Sequence, residues 1–258
     1  MKTPLRPHLR LGMACVTLLA AFAPAVRAAD HNNLEPGIPT QVEDAYPIPY
    51  LGREIQGYTW YDRTRDNKDL LLIAPVVEYG FARNWQGSIS VPYRVGNSQN
   101  TAGSGNPEVE AFYNFNTESL SLPAFAVSVR EGFPGGKGHA GIDSQIKLIA
   151  TKTLGPGDHL DEVHVNLVYL NTGHLEEDMR RNRYQAIVGY SRRLQIDNVL
   201  VTDFVRSQDQ FQRQNSNIVE IGLRHQATPQ TLYAVGIGAG IGDQSPKLRL
   251  TFGFQHSF

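Results

Sequence analysis

Three stretches of the sequence hold residue types that could do chemistry, and their spacing decides which chemistry. Residues 133–141, FPGGKGHAG, lack the G-x-x-x-x-G-K-[ST] spacing with which a loop holds phosphate. Residues 236–242, GIGAGIG, lack both the G-x-G-x-x-G register and the following helix of a dinucleotide site. The acidic residues 176–178 suit either a divalent cation or a solvated loop, and the solvated loop is favoured. Five histidines are scattered without metal-ligand spacing: His139, His159, His164, His174 and His225. The sequence therefore predicts no cofactor or metal site.

The last twelve residues, KLRLTFGFQHSF, form an amphipathic strand. Side chains of a strand alternate between its two faces. One face of this strand is apolar and the other is polar: the first holds Leu248, Leu250, Phe252 and Phe254, and the second holds Arg249, Thr251, Gly253 and Gln255. The sequence ends on Phe258, and His256 stands where an apolar residue would continue the pattern. Such a strand closes either a membrane barrel or a soluble sandwich.

The first 28 residues have the pattern of a secretory signal peptide. Lys2, Arg6 and Arg10 form a basic region, residues 11–23 are apolar, and residues 26–28 carry small residues at the cleavage positions. The single cysteine, Cys15, lies within this leader, so a chain cleaved after residue 28 has no cysteine and no disulfide. The whole chain has 24 basic and 25 acidic residues, and four of the basic ones belong to the leader. An acidic mature chain argues against a nucleic-acid partner.

Twelve strand-like segments follow residue 50, separated by turn signals. They are residues 53–62, 70–79, 85–95, 108–115, 122–131, 142–153, 163–170, 184–193, 198–206, 217–225, 231–241 and 247–258. Their connections alternate between short turns and longer polar loops, which is the pattern of an outer-membrane barrel. We expect an all-β, up-and-down antiparallel barrel of about twelve strands over residues 52–258, with both termini in the periplasm.

Charged residues occupy one phase of the predicted strands, which must face the lumen because an Arg or Lys facing lipid near the midplane costs about 2–4 kcal/mol. The charged lumen-lining candidates are Glu78, Glu108, Glu110, Arg130, Lys147, Arg193, Glu220, Arg224 and Arg249. Their signs nearly balance, which fits either a lattice of structural ion pairs or a polar passage without strong ion selectivity. The phase of residues 198–206 is ambiguous, because Asp203 and Arg206 disagree.

Glycines mark one wall of the predicted lumen. Seven are assigned to the inward phase: Gly57, Gly189, Gly222, Gly236, Gly238, Gly240 and Gly253, with Gly236 and Gly238 as lumen-lining candidates. Glycine inside a strand marks either close approach of another backbone or ligand, or relief of strand coiling. Residues 29–51 form a proline-rich arm on the periplasmic side that cannot be a central strand. This arm is either a loose tail or a segment tucked into the lumen.

Several stretches resemble the outer-membrane family named for the MetA pathway of phenol degradation. They are LEPGIPTQVEDAYPI, VEYGFARNWQGSISVPY, NPEVEAFYNFNTESLSLPAFAVSV, GYSRR and RLTFGFQHSF. The resemblance implies an exported barrel associated with uptake or handling of aromatic and other hydrophobic compounds. It also implies that the terminal aromatics, Phe252, Phe254 and Phe258, are an assembly signal read by the barrel assembly machinery. It supplies no catalytic residues.

The predicted architecture is compatible with one class of enzyme. Some twelve-stranded outer-membrane barrels are phospholipases with a serine, a histidine and an asparagine on the lipid face. His164 and Asn166 share a strand face, and Ser144 lies on the preceding strand. The predicted phase points that face inward, and no serine motif supports a nucleophile. We therefore expect no enzyme activity.

The sequence thus predicts a transporter or channel in the bacterial outer membrane, with passage of small aromatic or hydrophobic compounds. The alternatives are a closed structural barrel without transport and a lipid-hydrolysing barrel. The expected partners are outer-membrane lipid and lipopolysaccharide, the assembly machinery and a small hydrophobic or aromatic solute, with no nucleic acid.

Overall fold

A computed structural model describes residues 32–97, 103–136, 141–155, 160–175, 177–212 and 214–258. The predicted signal peptide lies outside these ranges. The strands are β1 (Arg53–Arg63), β2 (Asp69–Ala82), β3 (Trp85–Ser90), β4 (Tyr93–Gly96), β5 (Gly103–Ser104), β6 (Glu108–Asn114), β7 (Ala124–Gly132), β8 (Asp143–Thr153), β9 (Asp161–Asn171), β10 (Asn182–Gln195), β11 (Asn198–Gln208), β12 (Asn215–Thr228), β13 (Thr231–Gly240) and β14 (Leu248–Ser257). Within the described ranges there is no helix long and apolar enough to cross a membrane.

The sheet closes on itself, because β1 pairs with both β2 and β14. β3 and β4 form one barrel strand, which pairs with β2 throughout, and β5 and β6 form the next. The break between β3 and β4 falls at Val91 and Pro92, where proline cannot donate a ladder hydrogen bond. All pairings are antiparallel, so the predicted twelve-stranded barrel is confirmed.

The two ends of the barrel differ in their connections. At the short-turn end, residues 83–84 join β2 to β3 and residues 229–230 join β12 to β13. At the long-loop end, residues 64–68 join β1 to β2 and residues 209–214 join β11 to β12. β1 begins and β14 ends at the short-turn end, so any feature near these termini lies in that half of the barrel.

The outer face of the barrel is apolar, as the alternation predicts. Its exposed side chains include Val109, Phe125, Val129, Leu167, Val188, Val219, Ile221 and Phe252. Aromatic rings cluster at the short-turn end, where Trp85 lies 4.6 Å from Tyr113 between ring centroids and Tyr113 lies 5.1 Å from Phe115. His256 belongs to this outer face and stacks on Phe254. The imidazole ring of His256 therefore continues the aromatic girdle at a position where an apolar residue is usual.

Two phase assignments are settled by the strand pairing. Asp203 is buried in the lumen, whereas Arg206 is exposed near the long-loop end of β11 and donates a 3.0 Å hydrogen bond to Asn217. The assignment of Gly57 to the inward face is wrong. It pairs with Phe254 and alternates with the buried Gln56, so it faces outward. A shift of one residue along a strand moves a side chain to the other face.

The proline-rich arm lies inside the barrel over residues 32–48, which excludes a loose tail for this part. The arm packs against the wall in three apolar clusters. Leu34 and Val42 belong to the first cluster, Ala45 to the second and Ile38 to the third. Their wall residues include Val199, Ala124 and Leu232, which stand at the short-turn ends of β11, β7 and β13. The arm therefore fills the short-turn half of the lumen.

Candidate functional site

The lumen is the candidate site, and the first element that shapes it is the backbone of the arm. The Asn166 side chain accepts a hydrogen bond from the Glu43 N–H at 2.9 Å and donates one to the Glu43 carbonyl at 2.8 Å. Asp203 Oδ2 accepts from the N–H groups of Gln41 at 2.8 Å and Val42 at 2.9 Å. These side chains satisfy buried backbone groups that have no strand partner, as buried polar groups require.

Arg224 holds the other half of the arm. Its side chain is fully buried and donates to the carbonyl oxygens of Ile38 at 2.6 Å and Asn33 at 2.7 Å, and to Gln255 at 3.1 Å. The planar guanidinium has five donors, so one side chain can bind two carbonyls of the arm and the wall together. Arg224, a lumen-lining candidate, therefore serves as an attachment point for the arm.

The glycine wall accommodates the arm. A Cβ added at Gly189 would lie 2.6 Å from Val42, and one at Gly253 would lie 2.8 Å from Ile38. Gly222 and Gly236 meet Pro39 in the same way. Gly238 and Gly240 differ, because their nearest neighbours are Glu220 and the segment at 245–246. Close approach of the arm therefore explains four of the six inward glycines.

Replacing Gly189 with leucine should release the arm. The new side chain overlaps Val42, and overpacking of this kind costs about 1–3 kcal/mol, which raises the released fraction by about fivefold to 150-fold. An Ile38→Cys reporter, buried in the native arm, should react faster with a maleimide in this variant. Gly87→Leu on the outer face, where a Cβ meets the Phe81 ring at 3.4 Å, is the matched control. Equal labelling rates in the two variants would contradict the packing argument.

Six of the remaining charged candidates take part in ion pairs. Lys147 pairs with Glu43 of the arm, and both side chains are buried. Arg130 binds Glu110 at 2.5 Å and Glu108 at 3.5 Å. Arg249 binds Asp62 through two hydrogen bonds of 2.7 Å, approaches Glu220 at 3.6 Å and lies over the Trp60 ring. This bidentate geometry is the strong form of a carboxylate–guanidinium contact.

The last two charged candidates also take the inward phase. Glu78 is buried on β2 and accepts a 3.0 Å hydrogen bond from Gln86. Arg193 is half-buried near the short-turn end of β10. The structure thus places the charged candidates together in one lumen, where several of them hold the arm and the others line the space beside it.

The serine, histidine and asparagine considered for lipid hydrolysis do not come together. His164 is fully buried between Thr151 and Ser191, each 3.0 Å away, and Asn166 is engaged by the arm. Ser144 takes the opposite phase of β8 and donates to Glu131. The β8–β9 register pairs His164 with Thr151, seven residues from Ser144, which is about 23 Å along a strand.

A cavity of about 310 Å³ occupies the lumen beside the arm. Residues 35–43 of the arm line one side, and wall residues near the long-loop end, such as Arg94, Glu108 and Gln185, line the other. Along β1 to β3 it reaches towards the short-turn end, where Gln56, Glu78 and Gln86 line it. Twelve strands enclose more room than side chains alone fill, and the arm takes up only part of it.

Solved structures similar to this chain include outer-membrane channels. The COG4313 outer membrane channel from Pseudomonas putida F1 aligns over 87% of this chain and 100% of its own, with 11% identity and a TM-score of 0.64. The chain has the fold of outer-membrane β-barrel channels. A KdgM porin in complex with disordered oligogalacturonate aligns over 80% and 99%, with 14% identity and a TM-score of 0.56. A NanC porin aligns over 80% and 98%, with 11% identity and a TM-score of 0.54.

No family model and no curated protein matches the chain. The resemblance to the phenol-degradation family therefore stays a prediction, as does the aromatic solute that it implies. The similarity to solved structures is a similarity of fold, because the identities are 11–14%.

Several of the residues that hold the arm are not predicted by the sequence. The strand pattern leaves the face of Asp203 open, Asn166 is a candidate only for hydrolysis, and Gln86 and Thr151 are not among the candidates. Gln86 accepts from the Ile48 N–H at 2.8 Å, and Thr151 accepts from the Ala45 N–H at 3.0 Å. Polar side chains in the inward phase near the short turns were the available signal.

Proposed function

We propose that the protein is an outer-membrane channel, not an enzyme, whose lumen is closed at the short-turn end by its own arm. The observation that carries this proposal is the cavity of about 310 Å³ that the arm bounds on one side. A space of this size lies at the lower end of the roughly 300–1,000 Å³ range of small-molecule pockets. Movement of the arm would connect the cavity with the short-turn end, which we assign to the periplasm.

The cavity lining supports a small aromatic or hydrophobic solute with a polar handle. Tyr58, Trp60 and Leu72 supply an apolar wall on β1 and β2, and Glu110 and Arg130 line the same cavity from β6 and β7. Sites for small molecules combine apolar walls with a few placed polar groups in this way. The runner-up is a closed structural barrel, which the extensive contacts of the arm favour.

A reversible crosslink tests whether passage needs the arm to move. The mature chain has no native cysteine, and a Cβ at Gly253 lies 3.2 Å from the Ile38 Cβ, close to the roughly 3.5–4.5 Å span of a disulfide. The Ile38→Cys/Gly253→Cys protein should lose flux of a small phenol in liposomes when oxidised and regain it on reduction. The two single-cysteine proteins are the controls. Equal flux in the oxidised and reduced forms would contradict a moving arm.

A further inference from the structure

Three acidic side chains lie near the short-turn end of the cavity, and none of them forms an ion pair with a described residue. Glu54 on β1 and Glu78 on β2 stand directly opposite each other in the sheet, and both are buried in the lumen. Like charges directly opposite on neighbouring strands destabilise a sheet. Glu35 of the arm, with 3% of its surface exposed, joins them from the other side.

Of the three basic side chains that line the cavity, Lys147 and Arg130 are engaged elsewhere, and Arg94 lies near the long-loop end. Lys147 pairs with Glu43, and Arg130 pairs with Glu110 and Glu108. Glu78 and Glu54 receive hydrogen bonds from neutral groups: Gln86 donates to Glu78, and Gln255 and Ser257 donate to Glu54. Within the described ranges, no ion pair neutralises Glu35, Glu54 or Glu78.

Two oxygen-bearing groups at this place also lack hydrogen-bond donors. No described residue donates to the Glu35 carboxylate, and Gln56 Oε1 is buried without a donor. Both residues line the cavity. A buried carboxylate without compensation is costly, and burial, together with the nearby carboxylates of Glu78, Glu43, Glu54 and Asp44, raises the pKa of Glu35. A bound proton or a bound cation would relieve that cost.

We propose that the cavity between Glu35, Gln56 and Glu78 binds a small cation, with the ammonium group of an organic solute as the form that the lining fits. The groups that would contact the cation are all oxygen atoms, which suit either an ammonium group or a hydrated metal ion. Within the described residues, no three acidic or other ligating side chains stand close enough to hold a metal ion directly. Tyr58, Ala74 and Val76 line the adjoining wall and would contact the apolar body of an organic cation.

The site requires the lumen of the proposed channel but not passage through it, so binding can be measured on the detergent-folded barrel. Benzylammonium and benzyl alcohol have the same shape and differ in charge, and calcium chloride supplies a metal ion without an apolar body. Of the two tryptophans in the sequence, Trp85 is exposed on the outer face and Trp60 lines the cavity. Trp85→Phe therefore leaves Trp60 as the fluorescent reporter, with calorimetry as the second readout.

Benzylammonium should bind about tenfold tighter than benzyl alcohol, and Glu78→Gln or Glu35→Gln should remove most of that difference. Glu108→Gln is the matched control: it removes the same charge from the same cavity at a carboxylate paired with Arg130, and should leave binding within about twofold. Binding of calcium in place of benzylammonium would support the cation site and assign it to a metal ion.

Equal affinity for benzylammonium and benzyl alcohol, with no calcium binding, would overturn the proposal. An equal loss in Glu108→Gln would also overturn it, because the effect would then come from the general field of the lumen. Each variant is checked for folding by its gel mobility before and after boiling. A barrel that passes phenol but binds no cation would refute this site alone, whereas one that binds benzylammonium without flux would refute the channel alone.

Discussion

Deleting residues 32–50 should raise the single-channel conductance severalfold. The arm fills the short-turn half of the lumen, and a twelve-stranded wall without it encloses more room than its own side chains fill. The wall does not depend on the arm for its strand pairing, since every barrel strand pairs with a neighbour on each side. The deletion, made by joining residue 31 to Leu51, is measured in planar bilayers beside the full chain.

The crosslinked Ile38→Cys/Gly253→Cys protein is the control with the opposite sign, because it retains the arm and fixes it to β14. Oxidised, it should conduct no more than the full chain. Unboiled gel mobility establishes that the deleted barrel is folded. An unchanged conductance in a correctly folded deletion variant would refute the arm as the closure and favour the structural barrel.

The barrel wall was predictable from the sequence, because alternation is a local property. Val163, Val165 and Leu167 alternate with His164 and Asn166, and the structure turns the two sets to opposite faces. The constraint is strong, since a charge on the lipid face is costly at every position near the midplane. The sequence of each strand therefore indicates by itself which side chains face the lipid and which face the lumen.

The error at Gly57 shows where that local signal is weak. Gln56, Gly57 and Tyr58 contain neither a charge nor an aliphatic side chain, so nothing in the triplet sets the phase. The phase comes instead from pairing with β14, which brings Gly57 opposite Phe254. Closure of the barrel pairs the first strand with the last. These two strands lie too far apart in the sequence for a local pattern to indicate their contact.

The partners of the lumen charges could not be predicted for a related reason. Lys147 and Glu43 are 104 positions apart, and Glu43 belongs to a segment with no regular period. The glycines gave an indirect signal, because a wall that lacks Cβ atoms at Gly189, Gly222 and Gly253 leaves space for another chain segment. They indicated that something lies against the wall, and not which residues of the arm do so.

Lys147→Met should release the arm more strongly than any single loss of a hydrogen bond. The substitution keeps an unbranched side chain one atom shorter than lysine, but it leaves Glu43 buried without its charge partner. Removing one member of a buried ion pair costs roughly 3–5 kcal/mol, against about 1–3 kcal/mol for one unsatisfied neutral group. Maleimide labelling of the buried Ile38→Cys reporter should therefore rise by more in this variant than in Thr151→Val, which removes the hydrogen bond to the Ala45 N–H.

The second substitution separates the charge from the packing. Glu43→Met in the Lys147→Met background replaces the ion pair by two apolar side chains, which is often neutral or stabilising in a protein interior. Arm labelling in this double variant should return towards the level of the reporter protein alone, because Asn166 still binds the Glu43 backbone and not its side chain. If labelling stays high, the ion pair stabilises the bound arm by more than the free energy needed to desolvate its two charges. If the arm is held mainly by contacts to its backbone, the double variant loses both charges of the ion pair and the barrel still remains closed. We expect that outcome.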